Sequence, residues 1–498
     1  MSRLHSIPYK YLVATVFTFG LIMDMVDTTV INVAVPHLTN VFHSTTTTVE
    51  WTITGYLLSL ALFIPAAGWI SDRFGTKRTY LLAMAIFVTA SALCGQAHSI
   101  EELVAFRFLQ GAGGGMMTPV GTAMLSREFP GPERVKAVAI MSVPVLFGPM
   151  LGPVLGGFLI VDVSWRWIFY INLPVGLIGL AIGLFVLQEH KEAYAQRGFD
   201  LIGFVTAGLG TALVLYALSE AGNKGFGSGE VQITGAMGLV ILAIFVYNEL
   251  HSAFPILDLR LFERKLFWNS NLMMSVAFVS FGGFLLIVTL YLQELHGYSA
   301  LQAGLIQGPA SIVLGIGLPF ASRYYNKIGP RKMLIGGFSL AVIPLLMFML
   351  MEPNTPWWFV TLLLALRGLP FVFASVACQT ILYGPIESEK QGAASSIYNT
   401  SRQIAQSLGV ALMVTISTTR AATHLTGALH GAPASSASPE LVRHTAMMGY
   451  HDAFLVAALL MAVPVALSFL INDKHVEGEL EAQAASRTGH GEVVMAEA

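Results

Sequence analysis

The chain has 498 residues, of which 55% are hydrophobic and only 11% are Asp, Glu, Lys or Arg, about half the charge with which a soluble domain covers itself. That shortage excludes a soluble globular protein of this size, and a formal net charge of -2 leaves no electrostatic footprint for nucleic acid. Cys94 and Cys378 both sit in apolar runs and read as small buried hydrophobes, so neither a disulfide framework nor a thiolate metal site is expected.

Apolar stretches long enough to cross a hydrocarbon layer about 30 Å thick recur at 11–35, 51–70, 79–98, 103–125, 137–161, 165–187, 200–218, 231–250, 267–291, 301–322, 333–351, 357–380, 393–418 and 449–471. These runs are too long for barrel strands and lack a two-residue alternation, so the expected fold class is an all-α polytopic membrane protein. The first run carries acids and is soon followed by another, which reads as a spanning helix and not a cleaved signal. With the N-terminal segment inside, 20 Lys and Arg fall in inner segments and 4 in outer ones, the asymmetry of cytoplasmic loops. Both termini are therefore expected in the cytoplasm, with the chain in the cell membrane, the inner one where the host has two.

Along the chain, several residues inside or between these runs need a reason. Asp24 and Asp27 stand three apart on neighbouring positions of the first helix, where an acid is costly unless it faces the bundle interior. At least one is expected to exchange a proton; the plainer alternative is two carboxylates that only bond neighbouring helices. After the second run comes Gly68-Trp-Ile-Ser-Asp72-Arg73-Phe-Gly75-Thr-Lys77-Arg78. Gly75 suits a tight turn, and Asp72 suits a charge clasp with another loop that would hold one conformation. Arg107, about one turn into the fourth run, either snorkels to the interface or holds a carboxylate charged. In the fifth run Gly148, Gly152 and Gly156 repeat every four residues as a smooth ridge, with Gly157 beside them and Pro149 and Pro153 able to bend the helix. Arg402 falls at mid-depth among Ser, Gln, Asn and Ala, a polar face expected to line protein or water.

The second half loosely repeats the first. Asn326-Lys-Ile-Gly-Pro-Arg-Lys332 echoes the loop at 72–78, and Leu363-Leu-Ala-Leu-Arg367 echoes Leu103-Val-Ala-Phe-Arg107. The echo divides the chain into a six-helix bundle at 1–190, two inserted helices with linkers at 191–265, a second six-helix bundle at 266–475 and a flexible cytoplasmic tail at 476–498.

Together these segments resemble the major facilitator superfamily, and within it the fourteen-helix drug:proton antiporter group. Asp27-Thr-Thr-Val-Ile-Asn32-Val-Ala-Val-Pro36 is similar to the group's first-helix acid motif, and Gly68 to Arg78 to the superfamily's loop signature. Arg107-Phe-Leu-Gln110-Gly111 resembles the fourth-helix motif tied to proton coupling, and Gly148 to Gly157 the fifth-helix antiporter motif. Trp165-Arg166-Trp167-Ile-Phe169-Tyr-Ile171-Asn172-Leu-Pro174 resembles the start of the group's sixth helix.

The resemblance implies a major facilitator fold, two six-helix bundles plus two inserted helices, with protons as the coupling ion and no other cofactor. It implies Asp27 as the main proton-coupling carboxylate, Asp24 as its competitor and Arg107 as modulator. Conformational gating would fall to Gly68, Asp72, Arg73, Gly75, Lys77 and Arg78, and to Gly148, Pro149, Gly152, Pro153, Gly156 and Gly157. An enzyme is not expected, because His37, His98, His296 and His451 lack metal-ligand spacing, and the absence of a nucleotide-binding motif argues against an ATP-driven pump.

Relatives of this kind export toxic compounds, so the expected cargo is a lipophilic cation or a neutral amphiphile; the alternative is an exporter or importer of an endogenous metabolite. Expected partners are small amphiphilic substrates and membrane lipids, a periplasmic adaptor where the host has two membranes, and no nucleic acid, with a functional monomer. Asn326 stands where the first loop has an acid, and Asp452 lies near an interface. A second deep acidic site for a dication is therefore not expected, and monocationic, zwitterionic or neutral amphiphiles fit better. Phe19, Met23, Tyr56, Gln307, Phe371, Tyr398 and Arg402 are the expected cavity lining, since aromatic and Met side chains accommodate varied shapes.

Overall fold

The computed structural model describes residues 8–129, 152, 154–190, 198–384, 386, 390–429, 437–473 and 478, and these residues are helical or connect helices. Among the described residues the helices fall on the expected spans, the fifth only in part. In the first half they are α1 (Tyr9–Val41), α2 (Trp51–Phe74), α3 (Thr76–Gln96), α4 (Ile100–Glu128), α5, described only at 152 and over Val154–Val163, and α6 (Asn172–Val186). Two follow as α7 (Leu201–Lys224) and α8 (Gly229–His251). The second half holds α9 (Lys265–Leu290), α10 (Ala300–Ile328), α11 (Pro330–Met347), α12 (Trp357–Tyr383), α13 (Gln391–Leu429) and α14 (Pro439–Ser468). Among the described residues, eleven helices are long and apolar enough to cross a membrane.

Local sequence sets the ends. Ser99 accepts from the Glu102 amide at 3.2 Å to start α4, and Ser299 and Gln302 cap α10 reciprocally, each supplying an acceptor to amides that have no partner within the helix. The last five residues of the α9 rod, Tyr291–Leu295, wind as a π-helix. That wider turn points Gln293 across the molecule, where its Nε2 donates to the Val33 carbonyl of α1 at 3.0 Å.

Packing divides the helices into two sets. α4 packs on α1, α2 and α3, while α6 packs on α1 and α3. In the second set α9 packs on α12, α13 and α14, and α12 on α10 and α11. The sets meet where α2 lies along α13 and where α1 touches α9 and α10. Thr400 Oγ1 donates to the Ala61 carbonyl at 3.3 Å and Ser407 Oγ to the Thr54 carbonyl at 3.2 Å, tying α13 to α2.

α7 is not peripheral to this seam. It packs on both α2 and α13, accepting from Thr415 Oγ1 at the Leu218 carbonyl at 2.9 Å and from Trp51 Nε1 at Ser219 Oγ at 3.2 Å. α8 packs on α7, and only 17% of its apolar window is buried, which leaves a helix apolar all round to face lipid.

The hairpin of α13 and α14 is longer than the spans at 393–418 and 449–471. α13 has 39 residues, about 58 Å of helix at 1.5 Å per residue, well beyond the membrane thickness. Its extra turns carry Arg420 and His424, which meet Asp452 of α14 at 2.6 and 2.9 Å. Hydropathy ends at the bilayer, whereas backbone hydrogen bonding continues wherever side chains pair.

Candidate functional site

The site begins with a close approach between α2 and α4. A Cβ added at Gly111 would stand 2.7 Å from Ser59 Cβ, so the helices touch with no side chain between them. About one turn earlier on α4, Arg107 thereby reaches both α2 and α1. It is fully buried; Nε donates to the Thr52 carbonyl at 2.8 Å, and Nη1 donates to Gln110 Oε1 at 2.8 Å. Nη1 also forms a close ion pair with Asp27 Oδ2.

The other Asp27 oxygen accepts from Gln110 Nε2 at 2.8 Å and Asn172 Nδ2 at 3.1 Å. Asn172 also donates to Ser91 Oγ at 3.0 Å, and that hydroxyl donates to the Phe169 carbonyl at 2.9 Å. Asp27 is therefore saturated by α4 and α6 and shielded from water. Of the two alternatives for Arg107, the geometry is that of a cation holding a carboxylate, because the side chain points into the bundle and not to the interface.

Asp24 has a different environment. Three residues along a helix leave two side chains about 60° apart around its axis, enough to turn Asp24 toward α2, α4 and a cavity. Its Oδ1 accepts from the Tyr56 hydroxyl at 2.7 Å and its Oδ2 from Thr118 Oγ1 at 3.4 Å. The Tyr56 ring lies 4.1 Å from the Arg107 guanidinium carbon, a cation–π contact. One tyrosine thus touches both carboxylate systems, bonding Asp24 directly and stacking on the partner of Asp27.

The cavity beside Asp24 has a volume of about 1150 Å³ and is walled by α1, α2, α4 and α13, with the segments 198–200 and 253–258 at its mouth. Arg402, Asn399 and Gln403 form its α13 wall. The Arg402 Nε and the Gln403 Oε1 are buried without a hydrogen-bond partner. The opposite end of the bundle is closed by the Gln293 bond to α1 and by Gly157 of α5, where an added Cβ would stand 2.6 Å from the Ala300 carbonyl oxygen.

Of the seven expected lining residues, Arg402 lines this cavity and the others pack elsewhere. Tyr56 sits behind Asp24, while Met23 and Phe19 face Gly176 and Gly179 of α6. Gln307 donates to Thr289 Oγ1 at 3.1 Å. Phe371 stacks on Phe281 with centroids 5.0 Å apart, and Tyr398 meets Tyr383 at 5.9 Å. Phe371 and Tyr398 fill gaps between helices, while the aromatic side chains that do line the cavity are Trp69, Phe199 and Phe254 near its mouth.

The loop after α2 is clasped by an acid that the sequence did not single out. Gly75 ends α2 at φ 100°, a region L side chains avoid, and a Cβ there would run into the Glu189 carboxylate. Glu189 accepts from the Lys77 amide at 3.1 Å and the Arg78 amide at 3.3 Å, with Arg78 Nε 3.6 Å away. Lys77 Nζ donates to the Leu184 carbonyl at 2.9 Å. Gly68, Asp72 and Arg73 line the mouth of the cavity. Gly152 and Gly156 face α1 at Thr29, Val30 and Val33, while Gly148, Pro149 and Pro153 lie outside the described residues. Gln110 and Asn172 were visible as polar residues inside recognised motifs; Glu189, an ordinary loop acid, carried no signal.

A bundle of bilayer-length helices with charges buried at mid-depth beside a cavity defines a multi-pass membrane transporter of small molecules. The chain belongs to the Major Facilitator Superfamily, whose profile matches residues 17–410. It is 34% identical over 405 residues to the Multidrug resistance protein B homolog of Mycobacterium tuberculosis, covering 80% of this chain and 75% of that one. It is 30% identical over 405 residues to the uncharacterized MFS-type transporter YhcA of Bacillus subtilis, covering 81% and 76%. Among solved structures, its fold is similar to a bacterial homolog of the human lysosomal transporter Spinster in an inward-facing and occupied conformation. The TM-score is 0.63 at 17% identity, covering 93% of this chain and 97% of that one. The D-xylose-proton symporter gives a TM-score of 0.61 at 16% identity, covering 91% and 97%.

Proposed function

We propose that this protein is a proton-driven exporter of amphiphilic drugs or toxic compounds, built as two six-helix bundles with α7 and α8 inserted between them and with both termini in the cytoplasm. The observation that carries the reading is Asp24, a carboxylate at the head of a cavity whose mouth lies at the basic loop 72–78, the cytoplasmic side by charge asymmetry. Relatives named for multidrug resistance support export.

In this reading substrate and proton compete for Asp24. Substrate entering from the cytoplasm displaces the proton; a proton arriving from outside displaces the substrate after the bundles rock, which couples the two fluxes in opposite directions. Although the sequence motif ranks Asp27 first, its place in a sealed pair favours a supporting part, with Arg107 and Tyr56 transmitting the state of Asp24 to the α1–α4–α6 contact.

The test is reconstitution into liposomes with an internal pH-sensitive dye and a panel of cationic dyes, neutral antibiotics and metabolites. A substrate gradient should move protons the opposite way, and Asp24→Asn should reduce both movements. Substrate and protons moving in the same direction would overturn antiport, and exchange confined to metabolites would overturn drug export.

A further inference from the structure

We propose that the cavity selects zwitterionic amphiphiles, Asp24 holding the cationic group from α1 and Arg402 the carboxylate or other anionic group from α13. This rests on the cavity being the substrate site and narrows the class of substrate it takes.

The cavity's charges lie at two levels, around its mouth and inside the helices. Asp72, Arg73, Asp200, Asp258 and Lys390 sit on loops or helix ends around the mouth. Asp200 already accepts from the Gly203 amide at 2.7 Å and from Asn248 Nδ2 at 2.8 Å. Asp24 and Arg402 stand inside the helices, one on each side of the seam, and both line the cavity.

Both retain bonding capacity. Asp24 accepts one short bond from Tyr56 and one long bond from Thr118, out of about four lone-pair positions a carboxylate offers. Arg402 has no hydrogen bond or ion pair with a described residue, and its Nε is buried without a partner. Arg402 lines the cavity, and a guanidinium there offers a planar set of donors that matches a carboxylate.

Occlusion decides between ligand charges. When the cavity closes over a monocation bound to Asp24, the cation takes that carboxylate and leaves Arg402 unpaired in a space losing water, which is costly. An anion bound to Arg402 leaves Asp24 in the same position. A zwitterion satisfies both ends at once.

Transport then has an electrical signature. Export of a zwitterion in exchange for one proton carries one positive charge inward, whereas one-for-one exchange of a monocation is electroneutral.

The experiment uses the full-length protein in liposomes at about pH 6, below the α-amino pKa, and three fluorescent probes on one dansyl-lysine body that differ in charge and by one small capping group: Nε-dansyl-lysine, its methyl ester and its Nα-acetyl derivative, which are a zwitterion, a cation and an anion. Ethidium in parallel vesicles reports whether the exporter reading itself stands. The zwitterion should move fastest of the three and should respond to a valinomycin-set potential, the ester should not respond, and Arg402→Gln should lower the zwitterion-to-ester rate ratio by about tenfold or more, the scale of one charge-assisted hydrogen bond. Arg402→Lys should fall between, keeping the charge without the fork. Because each ratio is taken on one preparation, a poorer yield of folded variant cancels. A faster ester, or a ratio unmoved by both Arg402 variants, overturns zwitterion selection while ethidium transport keeps the exporter reading; failure of ethidium and all three probes to move overturns both.

Discussion

Replacing Asp27 by Asn removes the negative partner of a guanidinium that has no access to water. Arg107 is 0% exposed, and its Nη2 already lacks a hydrogen-bond partner, so among the described residues no second carboxylate bonds it to take up the charge. Unit charges about 3 Å apart attract by about 5 kcal/mol at an effective dielectric of about 20, and breaking a buried pair from one side costs about 3–5 kcal/mol. The amide brings a further penalty. With Gln110 and Asn172 donating to one Asp27 oxygen, the new NH2 would have to face Arg107 Nη1, donor against donor. Asp27→Asn should therefore lower the unfolding free energy by about 3–5 kcal/mol, measured by SDS titration of purified protein in mixed micelles. The double variant Asp27→Asn/Arg107→Gln should lose less than the sum of the two single variants by at least about 1.5 kcal/mol, since the pair is removed together. Additive losses, or an Asp27→Asn protein that unfolds like the parent, would falsify the sealed ion pair.

The other predictions follow from the same geometry. Asp24→Asn keeps an oxygen to accept from Tyr56, and its new NH2 can donate to the Thr118 hydroxyl in place of the long bond that hydroxyl gave, so its stability should stay within about 1 kcal/mol of the parent while pH-gradient-driven transport falls to background; persistent coupled transport would remove Asp24 from the proton path. Gly75→Ala should cost about 1–3 kcal/mol in the same unfolding assay, whereas Gly336→Ala, with nothing within 4 Å of the added carbon, should cost nothing. His296 bonds the Tyr291 hydroxyl at 2.8 Å and stacks on Tyr298; burial, then Arg443, pushes its imidazole below the ordinary value. The folded protein thus binds this proton less readily than the unfolded chain, and the stability present above about pH 6.5 should fall as pH drops through the lowered folded value. His296→Gln should flatten that part of the unfolding profile, and an unchanged slope would count against it.

The spans were legible because a helix in lipid must satisfy its own backbone, so each crossing writes a long apolar run. α13 exceeds its run because Arg420 and His424 in its extra turns pair with Asp452 of α14 and hold helix where hydropathy carries no information. The wall containing Arg402 was legible for the complementary reason: Ser, Asn and Gln recurring within a spanning helix have to face something other than lipid. Phe371 and Tyr398 misled because amphiphile-binding chemistry and interhelical packing call for the same side chains, and only three-dimensional neighbours separate them. Glu189 could not be found, since its role depends on α6 delivering it to the start of α3.

The hardest distinction to read was between Asp24 and Asp27, and its resolution bears on how coupling works. Composition makes them equivalent, and three-residue spacing puts them on neighbouring positions, yet about 60° of rotation separates a carboxylate at a cavity from one closed off by Arg107, Gln110 and Asn172. If both were sealed, no proton could reach the site; if both faced the cavity, their exchange would have no fixed charge to act on. Tyr56 joins the two environments through its hydroxyl on Asp24 and its ring on Arg107. In the proposed reading, a proton or a cationic group arriving at Asp24 would weaken that oxygen as an acceptor for Tyr56, and any shift of the ring would change the desolvated face presented to Arg107. Neutralisation in the cavity would thereby become a change at the contact of α1, α4 and α6, which is where a rocking bundle has to be informed of what it carries.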